Sequence, residues 1–301
     1  MNIVTHGFRA ENTVVALGNF DGVHRGHQLL LSALLSHTDK TPIVFTFDRH
    51  PFSVLSGKAM PLITTNDEKC ALLRAYGINT VYMAHSTPSF LQTDANAFVT
   101  KYLVKELGAT HVVVGSDCRF GKNGSGTPLL LQEMGKALGF CVTCLEKLYD
   151  GQTEISSSRI RQLLTDGDVA RAEALMGHPY TISGTVVPGR HVGTSLGFPT
   201  MNLALPKDKI MPAPGVYASQ TQIGDSVHLS ISFVGTSPTY QTQTPLIETH
   251  ILDASEDLYG ETVTVSFRRF IRPTMHFPSP EALIRQVETD IKSIKEGEPY
   301  A

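Results

Sequence analysis

"LGNFDGVHRGHQLLL", residues 17–31, decides the reading of the first half of the chain. The apolar run that enters it, "TVVALGNF" (13–20), reads as a buried strand, and "RGHQLLLSALLSH" (25–37), which leaves it, reads as an amphipathic helix. The stretch is therefore a strand-to-helix turn, built on Gly18, Phe20, Asp21, Gly22 and Gly26. His24 and His27 stand three residues apart, so both face one way at the helix start. A helix N-terminus presents unpaired N–H groups and a partial positive charge, which suits phosphate. Gly18 and Gly22 let backbone approach a ligand with no Cβ in the way. Such a site favours a triphosphate attacked at its α-phosphate. Two polar histidines on an exposed first turn would give the same letters, so the surrounding chain has to decide.

Working outward, further strands are expected at "TPIVFTFD" (41–48), "INTVYMA" (78–84), "THVVVGS" (110–116) and "GFCVTCL" (139–145). Helices are expected at "NDEKCALLRAYG" (66–77), with an apolar stripe at Leu72 and Leu73, and at "DANAFVTKYLVKELG" (94–108). Apolar strands alternating with helices indicate a doubly wound parallel sheet covered on both faces, with ligands bound beyond the carboxyl ends of its strands. After "ALMGHPY" (174–180) the texture changes to short strand-like segments separated by glycine, proline and polar turns, which indicates an antiparallel barrel. A last helix is expected over 279–297, with Ser279 as N-cap, Pro280 at the first position and Gly297 at C′. The expected fold class is thus α/β: a Rossmann-like domain over 1–178, then an antiparallel β-barrel domain with a terminal helix over 179–301.

Charge is nearly balanced, 28 acidic against 25 basic residues, which argues against a general nucleic-acid binder. No apolar run reaches the roughly 18 residues of a membrane span. "MNIVTHGFRAEN" lacks a stretch of signal-peptide length, so a cytoplasmic chain is expected. Four cysteines are too few for a disulfide scaffold of 301 residues. Cys141 and Cys144 form a lone C-x-x-C within a strand, where positions i and i+3 point to opposite faces, and no second pair completes a zinc site.

Three stretches belong at strand ends beside the histidines. "FDRHP" (47–51) ends one strand, and "VVVGSDCRFGK" (112–122) leaves another carrying Asp117, Arg119 and Phe120. "EISSSRIRQLL" (154–164) sets Ser156, Ser157 and Ser158 beside Arg161 at a helix start, a second anion-binding arrangement. "GSDCRFGKN" only mimics a phosphate-binding Walker loop, because five residues separate Gly115 from Gly121 and Asn123 stands where Ser or Thr belongs.

The second informative stretch is "VVPGRHVGTSLGFPTMNL" (186–203), between the barrel's first two strands. Gly189, Gly193 and Gly197 allow backbone amides to wrap phosphates. Thr200 and Asn202 offer two oxygen ligands suited to Mg²⁺ on ATP phosphates. "PLIETHILD" (245–253) places Glu248 in a strand, where a carboxylate could accept the proton of an attacking hydroxyl. A β-turn and a strand with one exposed acid would read the same way.

Taken together, "GNFDGVHRGH", "FDRHP", "GSDCRFG" and "ISSSRIR" resemble the adenylyltransferase half of bacterial bifunctional riboflavin kinase/FAD synthetases. "GFPTMN", "ETHILD", "DLYG" and the C-terminal "FIRPTMHFPSPEALIRQVETDI" resemble that family's kinase half. The resemblance implies an enzyme that makes FMN from riboflavin and then FAD and pyrophosphate from FMN, using ATP twice with Mg²⁺. It implies that His24 and His27 stabilise phosphates, that Gly18, Phe20, Asp21, Gly22 and Gly26 together with Ser156, Ser157, Ser158 and Arg161 bind ATP and its phosphates, and that Asp117, Arg119 and Phe120 lie near the flavin. In the kinase half it implies Glu248 as general base and Thr200 and Asn202 as Mg²⁺–ATP ligands.

Departures from the family pattern are Arg49 for proline, Cys118 for phenylalanine, Ser158 for threonine, Thr194 for an often basic residue, and Phe233 for asparagine. Two alternatives stay open at this point: an adenylyltransferase with a decayed kinase half, and a flavin-binding protein without turnover.

Overall fold

The computed structural model describes residues 1–189, 193, 196–236, 245–252 and 258–297, so Thr194 and Asp253 lie outside the described residues. Contacts divide the chain into two compact units, Met1–Ser157 and Ser158–Ala301.

The first unit runs β1 (Asn2–Val4), β2 (Thr13–Leu17), α1 (Arg25–Leu35), β3 (Thr41–Phe47), α2 (Pro51–Ser56), α3 (Asn66–Ala75), β4 (Thr80–Ala84), α4 (Pro88–Leu91), α5 (Ala95–Phe98), β5 (Ala109–Gly115), α6 (Pro128–Leu138), β6 (Cys141–Leu145) and a small hairpin, β7 (Tyr149–Asp150) with β8 (Thr153–Glu154). Six strands form a parallel sheet in the order β1-β4-β3-β2-β5-β6. Alternate residues of one strand enter different cores: Val15 and Leu17 pack on one face, Val14 and Ala16 on the other. That is why these strands read as continuous apolar runs. From β2 the chain builds β3 and β4 to one side and then crosses to β5 and β6 on the other. The topological switch point, where open α/β sheets bind ligands, therefore falls at the carboxyl end of β2.

The helix expected over 94–108 departs from regularity. Beyond α5 it winds as a π-helix over Val99–Glu106, with the Leu107 amide bonded to the Tyr102 carbonyl. The wider turn lets Glu106 face inward, where its carboxylate accepts from the Tyr82 hydroxyl at 2.7 Å and meets His6 Nδ1 at 2.8 Å. Cys141 and Cys144 lie on β6 as free thiols, and among the described residues no cluster of three or more His, Cys, Asp or Glu side chains could hold a metal ion.

The second unit contains α7 (Ser157–Thr165, entered from its first residue), α8 (Val169–Met176), β9 (Tyr180–Val187), β10 (Met201–Leu203), β11 (Gly215–Ile223), β12 (Ser226–Thr236), β13 (Pro245–Ile251), β14 (Thr262–Arg272) and α9 (Pro280–Glu296). The strands close an antiparallel barrel in the order β10-β13-β12-β11-β14-β9. One face of β11 and β12, with Val216, Ala218 and Ile231, is covered by Ile294 and Ile291 of α9. The alternate positions line the interior, where Tyr217 packs edge-on against Phe267. Buried hydroxyls also line it, each bonded to the next: Thr221 to Ser230, Ser230 to Ser219, Ser219 to Ser232 and Ser232 to Thr249, at 2.8–2.9 Å. A polar interior is tolerated because its members satisfy one another. Ser279 and Pro280 start α9 as expected. Gly297 ends it at φ −90° rather than in the left-handed C′ geometry, its amide donating to the Ser293 carbonyl, which Arg269 also reaches. No described helix is long and apolar enough to cross a membrane.

Candidate active site

At the switch point the chain turns sharply between β2 and α1. Gly22 takes φ +81°, and its amide donates to Thr64 Oγ1 at 3.0 Å. Phe20 and Val23 also adopt positive φ, 51° and 37°, which residues of their shape avoid. Phe20 is wholly buried, and the Asp21 carboxylate accepts from the Ile63 and Thr64 amides and from Thr64 Oγ1 at 2.9–3.2 Å. Both side chains thus face inward and brace the turn.

His24 is the N-cap of α1; its Nδ1 accepts from the His27 amide at 3.3 Å. When neutral, its proton therefore sits on Nε2. The His24 and His27 rings stack at 3.6 Å between centroids, and Phe20 lies 5.1 Å from His27. Gly26 makes the fold-back possible, since a Cβ there would meet the His24 ring at 3.1 Å. His27 Nδ1 is shut off from solvent with no hydrogen-bond partner among the described residues. Burial, then His24, then Lys69 hold the His27 imidazole well below its ordinary pKa. Protonation would bury an orphaned N–H on a charged ring, so the neutral form with its proton on Nε2 is favoured. His27 accordingly presents its Nε2–H at a helix N-terminus, beside the stacked His24 ring.

The structure brings part of the serine segment to this turn: Ser157 Oγ donates to the Asp21 carbonyl at 2.9 Å. Ser156 is half-buried beside it, while Ser158 is exposed and Arg161 half-buried farther along α7. Of the residues expected near a flavin, Phe120 packs into the core cluster, 5.4 Å from Phe98. Asp117 and Arg119 are exposed; Asp117 pairs with Lys147 Nζ at 3.3 Å, and the same ammonium meets Glu154 at 2.9 Å. Arg49 donates to the Ser86 carbonyl at 3.4 Å and so ties the ends of β3 and β4 together. Burial pushes the Cys118 thiol up to about 12, so it stays protonated.

A shallow cleft opens at these strand ends, lined by Asn19, Phe47, Asp48, His50, Asn66 and Lys69 among others. Lys69 is the residue that sequence reasoning missed. It is buried on α3, and it shares the helical stripe of Leu72 and Leu73 at i, i+3 and i+4. A lysine in an apolar stripe was the available signal.

In the barrel, Asn202 on β10 and Glu248 on β13 are direct cross-strand partners, and Phe233 on β12 is the partner of Glu248 on its other side. Directly opposed residues share a face, so the amide, the carboxylate and the ring stand side by side. A Cβ at Gly189 would overlap Asn202 Nδ2, and one at Gly193 would meet Thr200 Oγ1 at 3.0 Å. Gly189 and Gly193 thus lie directly against Asn202 and Thr200. Gly197 is exposed at φ +87°. His250 adds an unforeseen brace, its Nδ1 lying 2.8 Å from the Pro199 carbonyl and its ring edge-on to Phe198. Hydroxyl and amide oxygens beside a carboxylate are a hard donor set that fits Mg²⁺ rather than a soft metal.

Residues 8–159 match the FAD synthetase family and residues 176–297 the riboflavin kinase family. The chain is 36% identical to the bifunctional riboflavin kinase/FMN adenylyltransferase of Listeria monocytogenes, covering 96% of this chain and 93% of that protein. It is likewise 36% identical to the Escherichia coli K12 protein of that name, over 95% and 93%. A crystal structure described as a macrolide-efflux protein from Streptococcus pneumoniae superposes with TM-score 0.91 at 29% identity, over 99% of this chain and 100% of that one.

Proposed function

The chain belongs to the family of bifunctional riboflavin kinase/FMN adenylyltransferases, and from that premise we propose which residues perform each reaction. It is an enzyme of flavin cofactor synthesis that phosphorylates riboflavin to FMN and adenylylates FMN to FAD with release of pyrophosphate. We assign the adenylyltransferase domain to 1–178 and the kinase domain to 179–301. A cytoplasmic location is part of the same proposal.

In adenylyl transfer an FMN phosphate oxygen attacks the α-phosphorus of ATP. A Pα–O bond forms, the Pα–O–Pβ bond breaks, and pyrophosphate leaves. The nucleophile is already an anion, so catalysis consists of in-line positioning and charge stabilisation. His24 and His27 donate through Nε2 to phosphate oxygens as negative charge shifts onto the leaving group. The turn backbone around Gly18, Gly22 and Gly26 allows close approach, with Phe20 and Asp21 holding its shape. Ser156, Ser157, Ser158 and Arg161 bind the remaining phosphates. Asp117 and Arg119 orient the flavin end, and Phe120 anchors their loop. The stacked imidazoles at the helix N-terminus carry this assignment.

In the kinase reaction the ribityl 5′-hydroxyl attacks the γ-phosphorus, and Glu248 accepts the hydroxyl proton as ADP departs. Gly189, Gly193 and Gly197 allow backbone to follow the phosphates, and Thr200 and Asn202 hold Mg²⁺ together with ATP. The bound cation would supply charge neutralisation on the phosphates. The direct pairing of Asn202 with Glu248 supports this reading, because it sets base and metal ligand side by side.

The test incubates the protein with ATP, with and without Mg²⁺, and either riboflavin or FMN, and separates the flavins. Riboflavin giving FMN and then FAD, in both steps only with Mg²⁺, is the expected result. FAD from FMN without FMN from riboflavin would overturn the kinase assignment.

A further inference from the structure

The reactions as described make no use of Lys69. The side chain is 6% exposed. Its Nζ donates to the Phe47 carbonyl at 2.9 Å and to Thr46 Oγ1 at 3.4 Å. Thr46 Oγ1 in turn donates to the Asn19 carbonyl at 2.9 Å. Asn19 lies in the strand-to-helix turn, next to Phe20, whose positive φ is backbone strain that the surroundings must hold in place. Two supports from one neighbourhood supply that hold. The Asp21 carboxylate is bonded to residues 63 and 64, just ahead of α3, and Lys69 reaches Asn19 through Thr46. Asp21 from the turn, Asp48 from the end of β3 and Cys70 from α3 are the charged or titratable groups that act on the ammonium, which lines the same cleft as His50. His27 is acted on by His24 and by Lys69.

We propose that Lys69 is a positioning residue for adenylyl transfer. Its ammonium steadies, through Thr46 and Asn19, the turn that carries His24 and His27, and its charge sets the field in which these imidazoles meet the triphosphate. The proposal rests on the assignment of that histidine pair. A buried cation at this place opposes a second one on His27, which agrees with the depressed basicity of that imidazole. Burial of a lysine without such a task would be costly, because the charged form loses its hydration.

The test compares full-length Lys69→Met, Lys69→Arg and Thr46→Val with the wild type in both reactions, across pH. Lys69→Met should lower kcat for FAD formation about tenfold or more while KM for ATP moves less than about threefold. Riboflavin phosphorylation should be unchanged. The acid limb of FAD formation should move to higher pH, since loss of the neighbouring charge raises the His27 pKa. Lys69→Arg should return the limb to its original place. Thr46→Val should lower kcat without moving the limb, since the charge remains.

Should Lys69→Met fail to fold, as judged by thermal melting, Lys69→Gln replaces it, keeping a donor for the Phe47 carbonyl. An unmoved acid limb in the neutral variant, or wild-type kcat, overturns the proposal. A limb that moves equally in Thr46→Val does the same. Wild-type protein that makes no FAD from FMN, or His27→Ala at full rate, would instead overturn the site assignment itself.

Discussion

Replacing His27 by glutamine, asparagine and alanine separates the two nitrogens of its ring. Nδ1 is sealed and without a hydrogen-bond partner among the described residues, whereas the neutral ring carries its proton on Nε2. The glutamine amide nitrogen lies at about the reach of Nε2, and the asparagine nitrogen at about that of Nδ1. A donor aimed at charge developing on phosphate is worth about 3–4 kcal/mol, or roughly 10²–10³ in rate. His27→Ala should therefore reduce kcat for FAD formation from FMN by about that factor, and His27→Asn should be nearly as poor. His27→Gln should recover about tenfold over alanine. The assay is steady-state FAD formation at saturating ATP and FMN, with riboflavin phosphorylation by the same preparation as internal control. Equal rates in all three variants, or asparagine above glutamine, would refute the assignment of the donor to Nε2.

Glu248→Gln should cut riboflavin phosphorylation by about 10²–10⁴, the usual contribution of a general base, with FAD formation from FMN unchanged. Measuring both products from one sample checks it. Because the folded-state pKa of His27 lies below its unfolded value, the unfolded chain binds more protons at acid pH. The stability of the adenylyltransferase half should hold above about pH 6.5 and fall as pH drops below that value toward the folded pKa. Thermal melts across that range should show the slope in the wild type and less of it in His27→Gln. In the kinase half, Asp290 is buried and accepts from Arg272 Nε at 2.8 Å and Gln286 Nε2 at 2.9 Å. Asp290→Ala strands the guanidinium and should destabilise the barrel by about 3 kcal/mol, read by denaturant unfolding.

The strand-turn-helix at 13–37 was legible because its periodicity changes from a buried run to a helical stripe across three glycines. Most barrel strands were legible because alternation and turn residues mark them, whereas β10, Met201–Leu203, is too short to show alternation. What the motif letters could not separate was ligand contact from support. Phe20, Asp21 and Phe120 belong to the family signatures, yet their side chains turn into the protein, and only tertiary packing reveals that. Nor do residue types betray positive φ at Phe20 and Val23, since neither favours it. Lys69 was hidden for the opposite reason: inside an apolar stripe its charge reads as a surface residue out of place. The π-helical winding at Val99–Glu106 leaves no distinct periodic mark in so short a segment.

The two halves meet the same co-substrate with opposite protonation needs. An alcohol must lose a proton to attack the γ-phosphorus, and the proposed base, Glu248, stands directly across from Asn202 in the barrel. The FMN phosphate needs no base, and the histidine pair is built to resist gaining protons. At 3.6 Å between centroids, two imidazolium rings would repel by about 5 kcal/mol at an effective dielectric constant of about 20. The stack therefore carries at most one positive charge near neutrality, and Lys69 disfavours that charge on His27 further. On the proposed assignment, neutral Nε2–H donors would bind the anionic triphosphate less tightly than fixed cations. As charge builds on the leaving pyrophosphate, the same bonds strengthen, so the interaction grows toward the transition state rather than being spent on the ground state.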